Sequence, residues 1–230
     1  MRYQIRTDFH RPSREWVERV SRTHVGVTGV HAGPRQVMHH AIKPLLTSWR
    51  ICGPAFTVRP EYTDDLLVGE VAGKYAKPGD VIVVDAGART DRACWGMGMS
   101  MAARHAGCAG VVLDGMCMNG DLLMRERPQL PIFARGLVAG AGGAERAGWL
   151  NTAVICGGVI VHPGDIVLAD CDGVVVLPPH DVERILGLSE GYQNSARVAN
   201  EPDGNVRYYE RRKSEEKLRA LGEVEWLTSN

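Results

Sequence analysis

The stretch KPGDVIVVDAG (77–87) decides how the rest of the chain is read. A Pro-Gly-Asp turn opens it, four β-branched apolar residues follow without alternation, and Asp85 closes it before another Ala-Gly turn. An unbroken apolar run of that length between turn residues is a strand buried on both faces, the kind found in the parallel sheet of an α/β protein. A near-copy, HPGDIVLAD, occupies 162–170. Two copies do not make a repeat architecture, so both are read as a hairpin-type turn followed by a core strand.

The pattern extends outward from that strand. Before it, CGPAFTVR (52–59) reads as a strand, and TDDLLVGEVAGKYA (63–76) as a helix capped by Thr63 or Asp64. After it, RACWGMGMSMAARHAG (92–107) reads as a helix closed by Gly107, followed by the strands AGVVLDG (109–115) and PIFARG (131–136). From Asn151 to Pro179 β-branched residues alternate with Gly, Pro-Gly-Asp and Cys-Asp-Gly turns, a run of short strands and hairpins. The first forty residues read as helical, with Ser13 as N-cap ahead of Trp16, Val17 and Val20. The chain is helical again from Asp181, and ERRKSEEKLRALGE (210–223) reads as an amphipathic helix ending near Gly222. The expectation is a single α/β domain over 1–230. It has central βαβ units, a β-rich second half, an N-terminal helical arm (1–40) and a C-terminal helical arm (180–230).

Composition narrows the function. Lys plus Arg and Asp plus Glu are balanced at 27 each, which argues against nucleic acid or an anionic membrane as partner. The six cysteines form no CxxC pair and no zinc-finger spacing, so they are expected to be reduced thiols in a cytoplasmic protein. The N-terminal twenty residues have no apolar core like a signal peptide's, and no run of about 18 apolar residues suggests a membrane span. At 230 residues the chain can bury a substantial core.

The chemistry-bearing stretch is DGMCMNGD (114–121), which leaves a strand where α/β proteins place their ligands but carries thioethers, a thiol and an amide. In order and spacing, seven segments resemble one family: GPAFTV, the DDL helix, PGDVIVVDAG, ACWG, AGVVLDG, PIFARG, and ICGGVIVHPGDIVLADCDGVVVLP. That family is the 4-hydroxy-4-methyl-2-oxoglutarate aldolases and the related regulators of ribonuclease E activity A, and the resemblance runs from about Ile42 to Pro179. It implies an α/β/β sandwich of the swivelling-domain type, assembled as a trimer or hexamer with sites between subunits. It also implies a signature: an acid after Trp-Gly, twenty intervening residues, then Arg-Asp. Here all three positions are in register and neutral. Met97 stands for the acid, Met118 for the substrate-binding arginine and Asn119 for the metal-ligating aspartate.

Magnesium or manganese, which the family uses, prefers charged oxygen ligands, so metal binding at Asn119 is not expected. What the resemblance leaves intact is the start of the helix. There the amides of Gly98 and Met99 are expected to hold a substrate carboxylate, with Met97 and Met118 beside it. Asn119, Asp121 and Arg92 are the candidate catalytic groups. Asp121 either replaces the lost ligand or caps the LLMRER helical turn, and Arg92, with Arg89, either binds a carboxylate or pairs with Asp91. Cys117 reads as a small buried thiol rather than a nucleophile. Met97, Met99 and Met101 read as core or interface filling rather than a copper motif. Two functions stay open. One is a lyase or decarboxylase-like enzyme on a small 2-oxo acid or related carboxylate, with altered, metal-independent chemistry. The other is a non-catalytic binding or regulatory protein.

Overall fold

The structure is a computed structural model describing residues 3–125, 129–199, 210 and 212–222. The chain divides into two compact units, 1–189 and 190–230. In chain order the elements are α1 (Arg14–Ser21), α2 (Val25–Ala32), a 3-10 turn at Pro34–Gln36, β1 (Lys43–Pro44), β2 (Ile51–Pro60), α3 (Leu67–Tyr75), β3 (Val81–Val84), β4 (Ala93–Trp95), α4 (Met97–His105), β5 (Gly110–Leu113), β6 (Met116–Cys117), α5 (Gly120–Arg125), β7 (Ile132–Ala134), β8 (Gly136–Leu137), β9 (Gly148–Leu150), β10 (Val154–Cys156), β11 (Val159–Val161), β12 (Ile166–Asp170), β13 (Gly173–Leu177) and α6 (Val182–Ala199). The second unit holds the end of α6 and a helix at Ser214–Ala220, the core of the amphipathic segment read from the sequence. The remainder of the expected C-terminal arm, 200–209, 211 and 223–230, lies outside the described residues.

The protein is a mixed α/β fold. The main sheet runs β1-β7-β5-β3-β2-β12-β13, with β9 also paired to β2. Strands β2, β3, β5 and β7 are parallel, joined by the expected crossovers, while β12 and β13 form an antiparallel hairpin at the other edge. All four residues of β3 and of β5 are buried, as unbroken apolar runs require. Helices α3 and α4 cross closely because the contact points are small. A Cβ on Gly73 would lie 2.7 Å from Ala102 Cβ, and one on Gly69 would lie 2.9 Å from Met99 Sδ. A second apolar cluster joins Val20 and Val25 at α1 and α2, β12 and β13, and the start of α6 at Val182 and Ile185.

The two Pro-Gly-Asp copies fold alike on either side of β2. In each, the glycine has φ near +90°, and the buried aspartate closes the turn by accepting from the backbone N–H three residues earlier, Asp80 from Lys77 and Asp165 from His162. Gly53 of β2 lies against the first turn, where a Cβ would meet Gly79 O at 2.1 Å. Neither turn is a simple hairpin. The first leads from α3 into a parallel strand, and the second leads from β11 into β12.

Three local expectations are corrected. The N-terminal arm is helical only from Arg14, where Ser13 Oγ accepts from Trp16 N–H as expected. Residues 3–13 instead form an extended strap, because long-range ties hold them. Arg11 makes a two-pronged ion pair with Asp80, Lys77 pairs with Asp8, and Gln4 and Arg6 exchange backbone hydrogen bonds with Leu150. Helix α3 starts at Leu67, and its cap is neither Thr63 nor Asp64. The Asp65 carboxylate accepts from Leu67 N–H and, with its other oxygen, from the Glu145 and Arg146 amides. The segment at 92–107 is not all helix, since Ala93–Trp95 forms β4 and pairs with β6.

Candidate functional site

A small parallel sheet, β4-β6-β8, assembles the signature positions. Trp95 pairs with Cys117, and Met118 N–H donates to Trp95 O at 3.0 Å, which sets the ends of β4 and β6 side by side. Residues 96–97 and 118–119 therefore meet where α4 begins. A Cβ on Gly96 would lie 2.9 Å from Met118 Cγ and 3.2 Å from Asn119 Oδ1, so only glycine leaves room for the approach. Asn119 Oδ1 faces Met97 N–H at 3.5 Å. Its backbone is left-handed (φ 61°), a conformation asparagine tolerates better than most residues, and its carbonyl accepts from Leu123 N–H to start α5.

The start of α4 is fixed from inside. Buried Trp95 donates its indole N–H to Ser100 Oγ at 2.8 Å, and that hydroxyl donates to Gly96 O at 2.8 Å. Ser100 N–H also reaches Gly96 O, whereas the amides of Gly98 and Met99 have no acceptor among the described residues, as expected at the head of a helix. Gly98 is exposed, with open space where a Cβ would sit. An anion can approach the head of the helix from the Gly98 side. Neither Asn nor the flanking thioethers bring a charge of their own.

The other candidates are placed differently. Asp121 is exposed in the first turn of α5 and pairs with Arg125 at 2.9 Å. Gly120 before it is buried beneath Leu137, where a Cβ would lie 2.4 Å from Leu137 Cδ1. Arg92, at the far end of β4 from Met97, lies 3.8 Å from Asp64 and donates to Ala141 O, while Arg89 takes Asp91 in a two-pronged pair. Cys117 is buried, and desolvation pushes its thiol up to about 12, as it does for Cys94, so neither is a thiolate at neutral pH. Met97 and Met101 share one face of α4, half-buried and exposed in turn, while Met99 packs under α3 on another.

The divalent cation of the family can be tested against this donor set. It consists of one neutral amide oxygen, already turned toward a backbone N–H, between two thioethers. Magnesium and manganese require several hard oxygens, carboxylates above all, and the residues present do not fit. Among the described residues the one His, Cys, Asp and Glu cluster with metal-ligand spacing is Asp170, Cys171 and Asp172, at the β12–β13 turn.

Asp85 and Asp114 were not legible in detail. Both end parallel strands, where α/β sites open, but here that space is closed by the β10–β11 hairpin. Asp85 accepts from Ile155 and Gly87 amides, and Asp114 accepts from Gly157 N–H while pairing with Arg135 at 2.6 Å. Burial raises the Asp85 carboxyl above its ordinary range against those hydrogen bonds. These aspartates hold the β10–β11 hairpin over the strand ends.

The RraA-like family profile, aldolase/RraA, matches residues 27–176, and the chain belongs to that family. A relative in Halalkalibacterium halodurans, named as a candidate 4-hydroxy-4-methyl-2-oxoglutarate aldolase, is 38% identical over 145 residues, covering 63% of this chain and 68% of its own. An uncharacterized protein of Methanocaldococcus jannaschii is 33% identical over 165 residues, covering 70% of this chain and 77% of its own. Among solved structures, Streptomyces coelicolor RraAS2, described as an unusual member of the RNase ES inhibitor RraA family, superposes with a TM-score of 0.74. It covers 84% of this chain and 100% of its own at 24% identity, a likeness of fold.

Proposed function

We propose that the chain is a lyase-like protein of the aldolase branch that binds a small 2-oxo acid or related carboxylate at the head of α4. Its chemistry does not run through a divalent cation. The observation that carries this reading is the pair of amides at Gly98 and Met99, without an acceptor among the described residues and with Gly98 exposed at the head of α4 near Asn119. The substrate carboxylate lies on those amides, favoured by the positive end of the helix dipole. With Oδ1 turned to Met97 N–H, the Asn119 side chain keeps its Nδ2 donor for a ligand. A neutral donor there polarises a carbonyl oxygen and stabilises negative charge that develops on it. The pocket works in a homo-oligomer, a trimer or hexamer, in the cytoplasm, with neither nucleic acid nor membrane as partner. Six free cysteines and balanced charge support that setting, and no helix among the described residues is long and apolar enough to cross a membrane.

The test removes one donor. Gly98→Pro deletes the N–H of the second residue of α4, where space is open, and an unchanged urea midpoint checks that the helix is kept, since proline also restricts Met97 before it. Calorimetric titration with pyruvate and oxalate in chelator should show binding to the wild type and a loss of about tenfold or more in the variant, the worth of a charged hydrogen bond. Equal affinities would remove the carboxylate from α4. Carbon–carbon cleavage of 2-oxo acids, assayed with and without chelator, should be unaffected by the chelator. A second reading, a non-catalytic regulator, is favoured by the loss of charge at all three signature positions. It would be supported by carboxylate binding without turnover.

A further inference from the structure

We infer that the groove between α2 and β13 is a second ligand site, separate from the head of α4, and that it takes a small organic ammonium ion with an apolar body. The groove has a volume of about 370 Å³, the size of a small-molecule site. Val30, Pro34 and Val37 line it from α2 and the turn that follows, and Val174 and Val175 line it from β13. Asp172 is the one charged residue in the lining. It lies against the first turn of α2 at Gly26, and the lining runs on along the helix to Gly33, about 10 Å at 1.5 Å per residue. No residue of the signature positions takes part.

The sequence of α2, VGVTGVHA, places glycine at 26 and 29, although glycine weakens a helix interior. Each has a local reason. A Cβ on Gly29 would lie 3.3 Å from the Val37 and Val175 methyls, so glycine sets the depth of the groove. A Cβ on Gly26 would lie 3.1 Å from Asp172 Oδ2, so glycine lets that carboxylate rest against the helix. Among the described residues the Asp172 carboxylate has neither a hydrogen bond nor an ion pair, while its backbone N–H donates to Asp170 Oδ1. The neighbouring cations are engaged elsewhere. Lys43 Nζ donates to the main-chain oxygens of Cys171 and Asp172, and Arg50 pairs with Asp170 at 3.3 Å and reaches Ser21 O. With those two cations on the same turn, Asp170, Cys171 and Asp172 are not read as a metal site. What is left is an apolar trough with an unpaired carboxylate at one end. An alkyl chain gains there by leaving water, and an ammonium group on that chain meets Asp172. A neutral head group forgoes that attraction, and a carboxylate is repelled by Asp170 and Asp172. The positive end of the α2 dipole opposes the ammonium, but its partial charge is smaller than the full charge of the carboxylate.

Hexylammonium, 1-hexanol and hexanoate have the same number of carbons and differ in the head group. Titrated into the full chain at low salt and followed by valine-methyl NMR, hexylammonium should give saturable shifts at Val30, Val37 and Val175. Hexanol should bind the same methyls about threefold to fivefold more weakly, the upper range of an exposed ion pair, and hexanoate should not bind. Butylammonium should lose about twofold to fourfold for each methylene removed. Asp172→Asn, at an exposed position whose backbone hydrogen bond does not involve the side chain, should bring hexylammonium down to the level of hexanol and leave hexanol unchanged. If hexanol matches hexylammonium in the wild type, or Asp172→Asn changes neither, the carboxylate selects nothing and the inference is overturned. It is equally overturned if no probe gives saturable shifts at these valines. In that case a lower mass of Val30→Asp in light scattering would identify a second copy of the chain as the occupant of the groove.

Discussion

Asn119 combines three roles in one residue: a left-handed turn, a backbone acceptor that starts α5, and a side-chain oxygen turned to the head of α4. Aspartate tolerates the same backbone region, and a carboxylate at that helix terminus is favoured by the dipole. The triple change Met97→Glu, Met118→Arg and Asn119→Asp should therefore fold. Calorimetry should show saturable magnesium binding in it, where the wild type gives only heats of dilution. Wild-type binding as tight as the variant's would mean that the neutral donor set has been misjudged. Asp85 gives a second prediction at this scale. Asp85→Ala leaves the Ile155 and Gly87 amides without their acceptor and should cost about 1–3 kcal/mol. Asp85→Asn keeps an acceptor oxygen and removes a partly buried charge. Because burial raises the folded-state pKa, the stability that Asp85 contributes is full below its ordinary value of 3.8 and declines as pH rises through the raised value. Relative to wild type, the asparagine variant should thus gain stability from pH 4 to pH 7 in urea melts. A constant difference across that range would show that the carboxyl is not shifted.

Among the elements, the N-terminal strap offers a clear energetic test. Asp80 has a fully buried side chain facing the Arg11 guanidinium at 2.6 Å. Arg11→Ala leaves that carboxylate with backbone N–H donors but no counter-charge, and should cost about 3–5 kcal/mol in urea denaturation. Asp8→Ala breaks only exposed pairs and should leave the midpoint unchanged. A small effect for Arg11→Ala would mean that the strap is dispensable to the fold. The same contrast explains what the sequence reveals. Strands β3, β5, β12 and β13 are legible because they are buried on both faces, which leaves a local apolar run. The strap is not legible, because Arg11 and Asp80 are 69 positions apart and nothing local marks them as partners. Strand β4 is three residues without a period, defined by pairing with a segment more than twenty residues later. At α3 the sequence offers Thr63 or Asp64 as cap, whereas Asp65 ties the helix start to the loop at Glu145–Arg146, a contact that no local pattern encodes. The meeting of Met97 with Met118 and Asn119 depends on that β4–β6 pairing. It is reached from the sequence only through the family register, because no local pattern encodes it.

At the scale of the whole molecule, the first unit buries its core well but leaves apolar side chains in water. Ile155 and Ile160 are cross-strand partners on the outer face of the β10–β11 hairpin and are 58% and 61% exposed, while the hairpin's inner residues are buried. Among the described residues that hairpin pairs with no third strand, and its outer face is open. Val30 on α2 is 78% exposed, and Val37, beyond the 3-10 turn, is 40% exposed. Single exposed apolar residues are ordinary, but a paired, ordered set on a two-stranded sheet favours association. The chain carries no net charge to oppose it, since 27 basic and 27 acidic residues balance. We therefore expect a homo-oligomer, and a closed ring of three as its smallest form. Light scattering coupled to size exclusion should give a mass three times the 25.1 kDa of the chain, or twice that trimer mass if rings stack. The mass should hold on dilution into moderate salt, because apolar contacts are not screened as surface ion pairs are. A stable 25.1 kDa species would refute the ring and require the α4 pocket to act within a single chain.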